Sequence, residues 1–204
     1  MTHRSIADIP ESDLIATLLA DWYWRQTILN FHGIPNQPEI RQCVSLSSLP
    51  GQGDGDVDIL AWDRKKPESA TAVEVKRIKV GAGAFVSGKP NKLQEYEKAC
   101  RQANRLARIG FWQVYLFVLV VVDSREQNSG RNTYEGATPE LKRIVADTIT
   151  IHGLMATVGV ARHDFIQPMD YPPLSVGAGG IHLLRVAMPG VQPHAVTAWV
   201  SQLK

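Results

Sequence analysis

The segment FWQVYLFVLVVVD, residues 111–123, constrains the fold more than any other part of the chain. Its apolar run is continuous, whereas a strand with one side in water alternates apolar and polar residues. Continuous runs are typical of a central strand in a parallel or mixed sheet, because both of its faces are covered. We therefore expect an α/β fold, in which helices flank both sides of a central mixed β-sheet.

The rest of the chain supplies helices and strands in an order that suits such a sheet. Helical spacing of apolar residues predicts a first helix from Glu11 to about Ile28 and a second from about Lys92 to Arg108. Between them, a three-strand meander is predicted in QCVSLSSL, VDILAW and TAVEVKRIKV, with the polar DRKKPESA as its last turn.

The final third of the chain predicts further elements of the same domain. We expect a helix in TPELKRIVADTI, additional strands in LMATVGVAR and IHLLRVA, and a short closing helix in HAVTAWVSQLK. The predicted organisation is a single domain, residues 1–204, with a core at about 11–123 and a C-terminal extension at about 124–204.

Composition favours a particular cellular location for the protein but does not indicate what the protein binds. The two cysteines, Cys43 and Cys100, form neither a disulfide framework nor a C-x-x-C metal motif. Neither a signal peptide nor an apolar run of about eighteen residues is found, so we expect a cytoplasmic protein that does not enter a membrane. The formal charge of +2 is too small to indicate nucleic-acid binding by itself.

The hairpin that follows the first predicted strand brings acidic side chains together. On a strand, residues two apart share a face, so Glu74 and Lys76 point to the same side. If Asp58 pairs with Glu74 or with Lys76, the turn is centred at position 66 or 67, inside the polar DRKKPESA. Two carboxylates and one ammonium group are therefore expected to converge.

Such a group suits a hard divalent cation. Mg²⁺ takes oxygen ligands and needs only one or two carboxylates, which Asp58 and Glu74 supply, while waters and phosphate oxygens complete its coordination. Lys76 would hold the attacking water or neutralise developing charge. The alternative interpretation is an ordinary exposed cross-strand Glu–Lys pair, worth about 0.2 to 1 kcal/mol.

The order of elements resembles the core of the PD-(D/E)xK nuclease superfamily, the restriction-endonuclease-like fold. Over residues 11–123 it reads helix, strand, strand with Asp58, strand with Glu74-x-Lys76, helix, strand, and GDVDILAWD followed by AVEVK is similar to the family signature. The resemblance implies a nuclease that hydrolyses phosphodiester bonds, with DNA as the expected substrate and Mg²⁺ or Mn²⁺ as cofactor. It makes Asp58 and Glu74 the metal ligands and Lys76 the catalytic lysine, and it also allows a homodimer.

Several positions of that pattern stay open. Asp54 and Asp56 compete with Asp58, which is preferred because its register matches Glu74. For the acidic residue that family members often carry on the first helix, Asp21 is the first candidate, ahead of Glu11 and Glu39. A Gln or Lys on the second helix commonly completes such sites, which implies Gln94 as a further catalytic residue, or Lys98.

The second predicted helix carries a basic stripe. The apolar residues of this helix cluster around Cys100. The polar residues fall together on another side of the helix: Gln94, Lys98, Arg101, Arg105 and Arg108. We expect Lys98, Arg101, Arg105 and Arg108 to bind nucleic acid, although a stripe of this kind also suits a solvated helix face.

Two other motifs in the sequence give only weak indications of function. GAFVSGKP approaches a P-loop motif, but Pro90 replaces its hydroxyl residue and lacks the N–H that joins the phosphate cradle. The dipeptide His163-Asp164 is treated as incidental. The main alternative function is a catalytically silent nucleic-acid-binding or assembly module with the same fold.

Overall fold

The computed structural model describes residues 3–31, 39–81, 95–125, 153–167, 173–174 and 178–203. Within these ranges lie four α-helices: α1 (Glu11–Ala20), α2 (Trp22–Phe31), α3 (Tyr96–Ile109) and α4 (His194–Gln202). The same ranges contain six strands: β1 (Glu39–Ser45), β2 (Asp56–Asp63), β3 (Lys66–Val80), β4 (Gln113–Asp123), β5 (Gly159–Gln167) and β6 (Ala178–Arg185). A short 3₁₀ turn, Ile6–Asp8, precedes α1.

The six strands form one mixed sheet in the order β1-β2-β3-β4-β5-β6. Strands β1, β2 and β3 are an antiparallel meander, as predicted, although β1 covers Glu39–Ser45 rather than the predicted 42–49. Strands β4 and β5 continue the sheet in parallel with β3. Strand β6 then returns antiparallel to β5. The predicted α/β class is confirmed, and the strands of the C-terminal extension belong to the same sheet as the core.

Strand β4 lies at the centre of two apolar layers. All of its residues, Gln113–Asp123, are buried, which confirms the prediction made from its continuous apolar run. One layer packs against α3 and α4 and contains Ala72, Leu116 and Val118. The other packs against α1 and the 3₁₀ turn and contains Val73 and Phe117. Since full burial of a large apolar side chain stabilises by roughly 1.5–3 kcal/mol, these layers hold both faces of the sheet in place.

The first predicted helix is wrong in its length, because it ends at Ala20 and a second helix begins at Trp22. Asp21 between them has extended backbone angles, φ −78° and ψ 123°. Its Oδ1 accepts a hydrogen bond from the backbone N–H of Trp24 at 3.0 Å. A side chain of this kind satisfies an otherwise unpaired amide at a helix start, so Asp21 starts α2 rather than continuing α1.

The hairpin between β2 and β3 is tighter than predicted. The polar stretch 63–70 was expected to be a turn, but only Arg64 and Lys65 turn, and β3 begins at Lys66. The carboxylate Oδ1 of Asp63 accepts from the N–H of Lys65 at 2.8 Å and closes the turn. The first residues of β3 can be polar because most of their side chains are exposed or half-buried.

The last two strands are shifted from their predicted positions. Strand β5 was predicted at 154–162 but covers Gly159–Gln167, and β6 was predicted at 181–187 but covers Ala178–Arg185. The charged residues Arg162 and Asp164 are unusual in a buried strand, so the sequence did not predict a strand at these positions. In the structure the two side chains neutralise each other through hydrogen bonds of 2.6 and 2.7 Å. The predicted helix TPELKRIVADTI lies outside the described residues. No described helix is long and apolar enough to span a membrane.

Candidate functional site

The side chains of Glu74 and Lys76 lie on the α3 side of the sheet. Along β3, Ala72 and Ile78 belong to the layer beneath α3, whereas Val73 and Val75 belong to the layer beneath α1. Residues two apart on a strand share a face, so the even-numbered Glu74 and Lys76 project with Ala72 and Ile78. Two polar side chains therefore interrupt an otherwise apolar face.

Asp58 lies on β2 directly beside this interruption. In the β2–β3 ladder Ile59 is opposite Val73, and the same register continued by one residue sets Asp58 opposite Glu74. The Oδ2 atom of Asp58 accepts a hydrogen bond from the backbone N–H of Val75 at 2.6 Å. The predicted proximity of Asp58 and Glu74 is confirmed, with Glu74 rather than Lys76 as the cross-strand partner.

A third carboxylate approaches the same stretch of β3 from the start of α1. The Oε2 atom of Glu11 accepts a hydrogen bond from the backbone N–H of Arg77 at 2.5 Å. The amides of Val75 and Arg77 point to the same edge of β3, because N–H directions alternate along a strand. Glu11, placed behind Asp21 by the sequence, is therefore the acidic residue of the first helix that reaches the site.

The two strand carboxylates are strongly perturbed. Burial, together with the charge of Asp58, raises the pKa of Glu74 to about 9, against the opposing effect of the Lys76 charge. Burial also raises the pKa of Asp58 to about 6, although the hydrogen bond from Val75 acts in the opposite direction. Two buried carboxylates that repel each other lose the hydration that would stabilise their charges. A cation between them would relieve both effects.

Lys76 is held by carboxylates that lie beside the pair. Its Nζ atom is 2.9 Å from Oε2 of Glu95, which immediately precedes α3, and 3.9 Å from Oε1 of Glu11. Burial by itself lowers the pKa of Lys76, but the hydrogen bond to Glu95 and the charge of Glu11 raise it above its ordinary value overall. The sequence did not indicate Glu95, since nothing in its local pattern predicts contact with a residue 19 positions earlier.

Other acidic candidates lie elsewhere or at the margin. Glu39 forms an ion pair with Arg64 at 2.8 Å, at the turn end of the β2–β3 hairpin. Asp21 caps α2. Asp54 and Asp56 are exposed, and the charge of Asp56 contributes to the raised pKa values of Asp58 and Glu74.

The basic stripe of α3 divides into two parts. Lys98, Arg101 and Arg108 are exposed, and Arg101 lies 3.9 Å from Glu97 in a loose surface ion pair. Arg105 instead donates hydrogen bonds to the backbone oxygens of Asp54 at 2.9 Å and Gly53 at 3.3 Å. Its guanidinium group thus anchors the loop that leads into β2, a contact that the stripe alone did not predict. Gln94 lies outside the described residues.

Two weaker sequence signals are also located. The P-loop-like segment GAFVSGKP lies outside the described residues. His163 is fully buried beside Phe117 and Phe165, and burial lowers its pKa to about 4. Its neighbour Asp164 is paired with Arg162. These contacts are structural, which agrees with the interpretation of His163-Asp164 as incidental.

The carboxylates of this site determine which cation it could hold. In the described parts of the chain, no group of three or more His, Cys, Asp or Glu side chains is arranged to hold a metal ion. Asp58 and Glu74 nevertheless supply two oxygen donors, and Mg²⁺ is commonly bound through one or two carboxylates plus water and substrate oxygens. The residues therefore fit a hard divalent cation that shares its coordination with a phosphate.

No protein-family model matches this chain, and no curated protein and no solved structure is significantly similar to it.

Proposed function

We propose that this protein is a Mg²⁺- or Mn²⁺-dependent nuclease that hydrolyses phosphodiester bonds of DNA, built on a restriction-endonuclease-like core. The observation that carries the proposal is the convergence of Asp58, Glu74 and Lys76 on the α3 face of the sheet. Asp58 is opposite Glu74 in register, and both carboxylates have raised pKa values. Perturbed titratable groups that converge in this way are typical of functional sites.

The chain order supports the same function. Among the described residues, two short helices, three antiparallel strands, a third helix and a strand parallel to the third strand follow one another from α1 to β4. This order resembles the PD-(D/E)xK core, with the acidic residue on the second strand and the Glu-x-Lys pattern on the third. This order supports the proposed fold, whereas the proposed chemistry depends on the side chains of Asp58, Glu74 and Lys76.

In the proposed reaction Asp58 and Glu74 hold the divalent cation. A bound Mg²⁺ would lower the pKa of a water molecule and stabilise the negative charge that builds up on the phosphate. Asp58 is already oriented for binding, because one of its oxygens is fixed by the Val75 amide while the carboxylate has a second oxygen to offer. Burial of Glu74, whose exposed fraction is 5%, keeps competing water away from its carboxylate.

Lys76 acts as a charged donor in this proposal, not as a proton acceptor. Its carboxylate neighbours raise its pKa, so the ammonium form persists at neutral pH. A charged ammonium group orients the attacking water and stabilises phosphate oxygens in the transition state. The proton released by the water must then pass to solvent or to the phosphate.

A silent nucleic-acid-binding module remains the second candidate, and the exposed basic residues favour it. Lys98, Arg101 and Arg108 lie on the outside of α3, where they would contact phosphates whether or not cleavage follows. The two candidates differ in turnover, because the module binds DNA in Mg²⁺ or Mn²⁺ without cutting it.

The test is cleavage of supercoiled, linear and single-stranded DNA in Mg²⁺ or Mn²⁺. We expect the wild type to nick or degrade at least one of these substrates, and we expect Asp58→Asn and Glu74→Gln to lose that activity by a factor of a thousand or more, on the order of one essential catalytic group. Glu68→Gln is the matched control, because Glu68 is an exposed carboxylate on the same strand. Binding without cleavage by the wild type would favour the silent module instead.

A further inference from the structure

Several carboxylates lie near Lys76, and its ammonium group could pair with more than one of them. Glu74 shares its face of β3, and Asp58 lies opposite Glu74 on β2. The ammonium nitrogen nevertheless contacts Glu95 at 2.9 Å and Glu11 at 3.9 Å. Within the described residues, these two are the acidic groups within 4.0 Å of Nζ, so the ammonium group pairs with them rather than with Asp58 or Glu74.

The carboxylate that pairs with Lys76 affects cation binding, because an ammonium group and a divalent cation compete for the same oxygens. A lysine has a long, flexible side chain with a compact charge, and it can move between carboxylates that lie near its backbone. If the Lys76 ammonium paired with Glu74 or Asp58, it would neutralise their repulsion and occupy the donors that a cation needs. A cation would then have to displace an internal ion pair.

We propose that Glu95 is a positioning residue that holds the Lys76 ammonium beside the start of α3 and leaves Asp58 and Glu74 for the cation. The inference rests on the proposed function, since it concerns the same cation site. Lys76 is only 14% exposed, so solvent does not offer its ammonium group an equivalent partner. Glu95 supplies one at hydrogen-bonding distance.

The location of Glu95 makes it suitable for this role. It occupies the N-cap position of α3 without a side-chain capping hydrogen bond, and a negative charge at a helix N-terminus is stabilised by the helix dipole. The backbone of α3 is fixed in turn by buried side chains such as Tyr96 and Cys100. The Glu95 carboxylate is therefore attached to a well-fixed backbone. The outer side of α3 carries Lys98 and Arg101, so the position of Lys76 depends on the helix that is proposed to contact DNA.

A double-mutant cycle with Mn²⁺ as the probe tests the inference by calorimetry, without any cleavage assay. We expect Glu95→Gln to weaken Mn²⁺ binding roughly tenfold, a coupling of ordinary size for neighbouring charged groups. In a Lys76→Met background, Glu95→Gln should change the Mn²⁺ affinity less than twofold or so, because no ammonium remains to be misplaced. A merely structural role for Glu95 would weaken binding equally in both backgrounds.

Glu97→Gln is the matched control. Glu97 also lies in the first turn of α3, and its side chain is 86% exposed with Arg101 as its neighbour. The substitution removes the same charge from the same helix end but leaves Lys76 paired. We expect it to leave Mn²⁺ binding unchanged, and thermal unfolding of each variant verifies that α3 is intact.

The outcomes separate the inference from the proposed function. Wild-type binding of Mn²⁺ that Glu95→Gln leaves unchanged would overturn the inference alone, as would a loss that persists in the Lys76→Met background. A wild type that binds no Mn²⁺ would overturn the proposed cation site, and the inference with it.

Discussion

The carboxylate of Asp58 on β2 accepts a hydrogen bond from the backbone N–H of Val75 on β3 at 2.6 Å. A side chain thus takes the position that a backbone carbonyl holds elsewhere in the ladder. The neighbouring edge amide of Arg77 is satisfied in the same way by Glu11. Strand β3 is therefore bordered by carboxylates beyond the point where its ladder with β2 stops, and one of them, Asp58, also belongs to the candidate cation site.

Asp58 should accordingly have separable roles in folding and in binding. Asp58→Ala leaves the Val75 amide without its acceptor, and we expect a loss of about 1–3 kcal/mol in the free energy of unfolding. Asp58→Asn retains an oxygen that can accept this bond, so its loss should be smaller. Both variants should fail to bind Mn²⁺. Urea denaturation and calorimetry measure the two effects, and equal stabilities for the two variants would contradict the role of the hydrogen bond.

Glu74 should destabilise the metal-free protein at neutral and alkaline pH. Its pKa is raised to about 9 in the folded state, so the stability linked to its protonation is complete below its ordinary value and is lost progressively as the pH rises from that value to about 9. Glu74→Gln removes this dependence and should raise the free energy of unfolding at pH 8 by several kcal/mol, because each pH unit above the ordinary value costs about 1.4 kcal/mol, with little effect at pH 4. Glu68→Gln, an exposed change on the same strand, should have no such effect.

Cation binding should release a proton. Between pH 6 and pH 9 the metal-free pair carries a proton, because the pKa of Asp58 is about 6 and that of Glu74 is about 9. A cation must displace that proton, so Mn²⁺ affinity should rise up to about tenfold per pH unit in this range. Calorimetric titrations in buffers with different ionisation enthalpies measure the released proton directly. Heats that do not depend on the buffer would contradict the arrangement.

The exposed basic residues of α3 should determine the salt dependence of DNA binding. Removal of one phosphate contact from duplex DNA reduces the slope of log affinity against log salt by about 0.9. We expect that reduction for Lys98→Ala, Arg101→Ala and Arg108→Ala, measured by fluorescence anisotropy in EDTA to prevent cleavage. Arg105→Ala should instead lower the free energy of unfolding, because Arg105 anchors the backbone of Gly53 and Asp54. Unchanged slopes for the first three variants would contradict a DNA-binding role for the helix.

Much of this arrangement could be predicted from local patterns. The apolar run of β4 predicts a strand buried on both faces, and the period of two along β3 predicts that Glu74 and Lys76 share a side. The constant register of an antiparallel hairpin then brings Asp58 to Glu74. These features depend on residues that are close in sequence or related by a simple rule.

The remaining features depend on tertiary contacts that carry no local signal. Glu11 bonds to Arg77 across 66 positions, so the first-helix candidate could not be chosen from helix periodicity alone. Glu95 and Arg105 acquire their partners only when α3 packs on the sheet. The break at Asp21 did have a signal, because Asp is a preferred helix-capping residue, but the continuous apolar pattern around it favoured one long helix.

The most direct test of a cation site at Asp58 and Glu74 is the Mn²⁺ dependence of supercoiled-DNA nicking, compared with the Mn²⁺ dissociation constant from calorimetry on the same sample. We predict that nicking by the wild type is half-maximal near that dissociation constant, and that Glu74→Ala shows neither binding nor nicking while remaining folded. Nicking by Glu74→Ala at the wild-type rate, or Mn²⁺ binding by the wild type without any cleavage of DNA, would contradict the proposed nuclease.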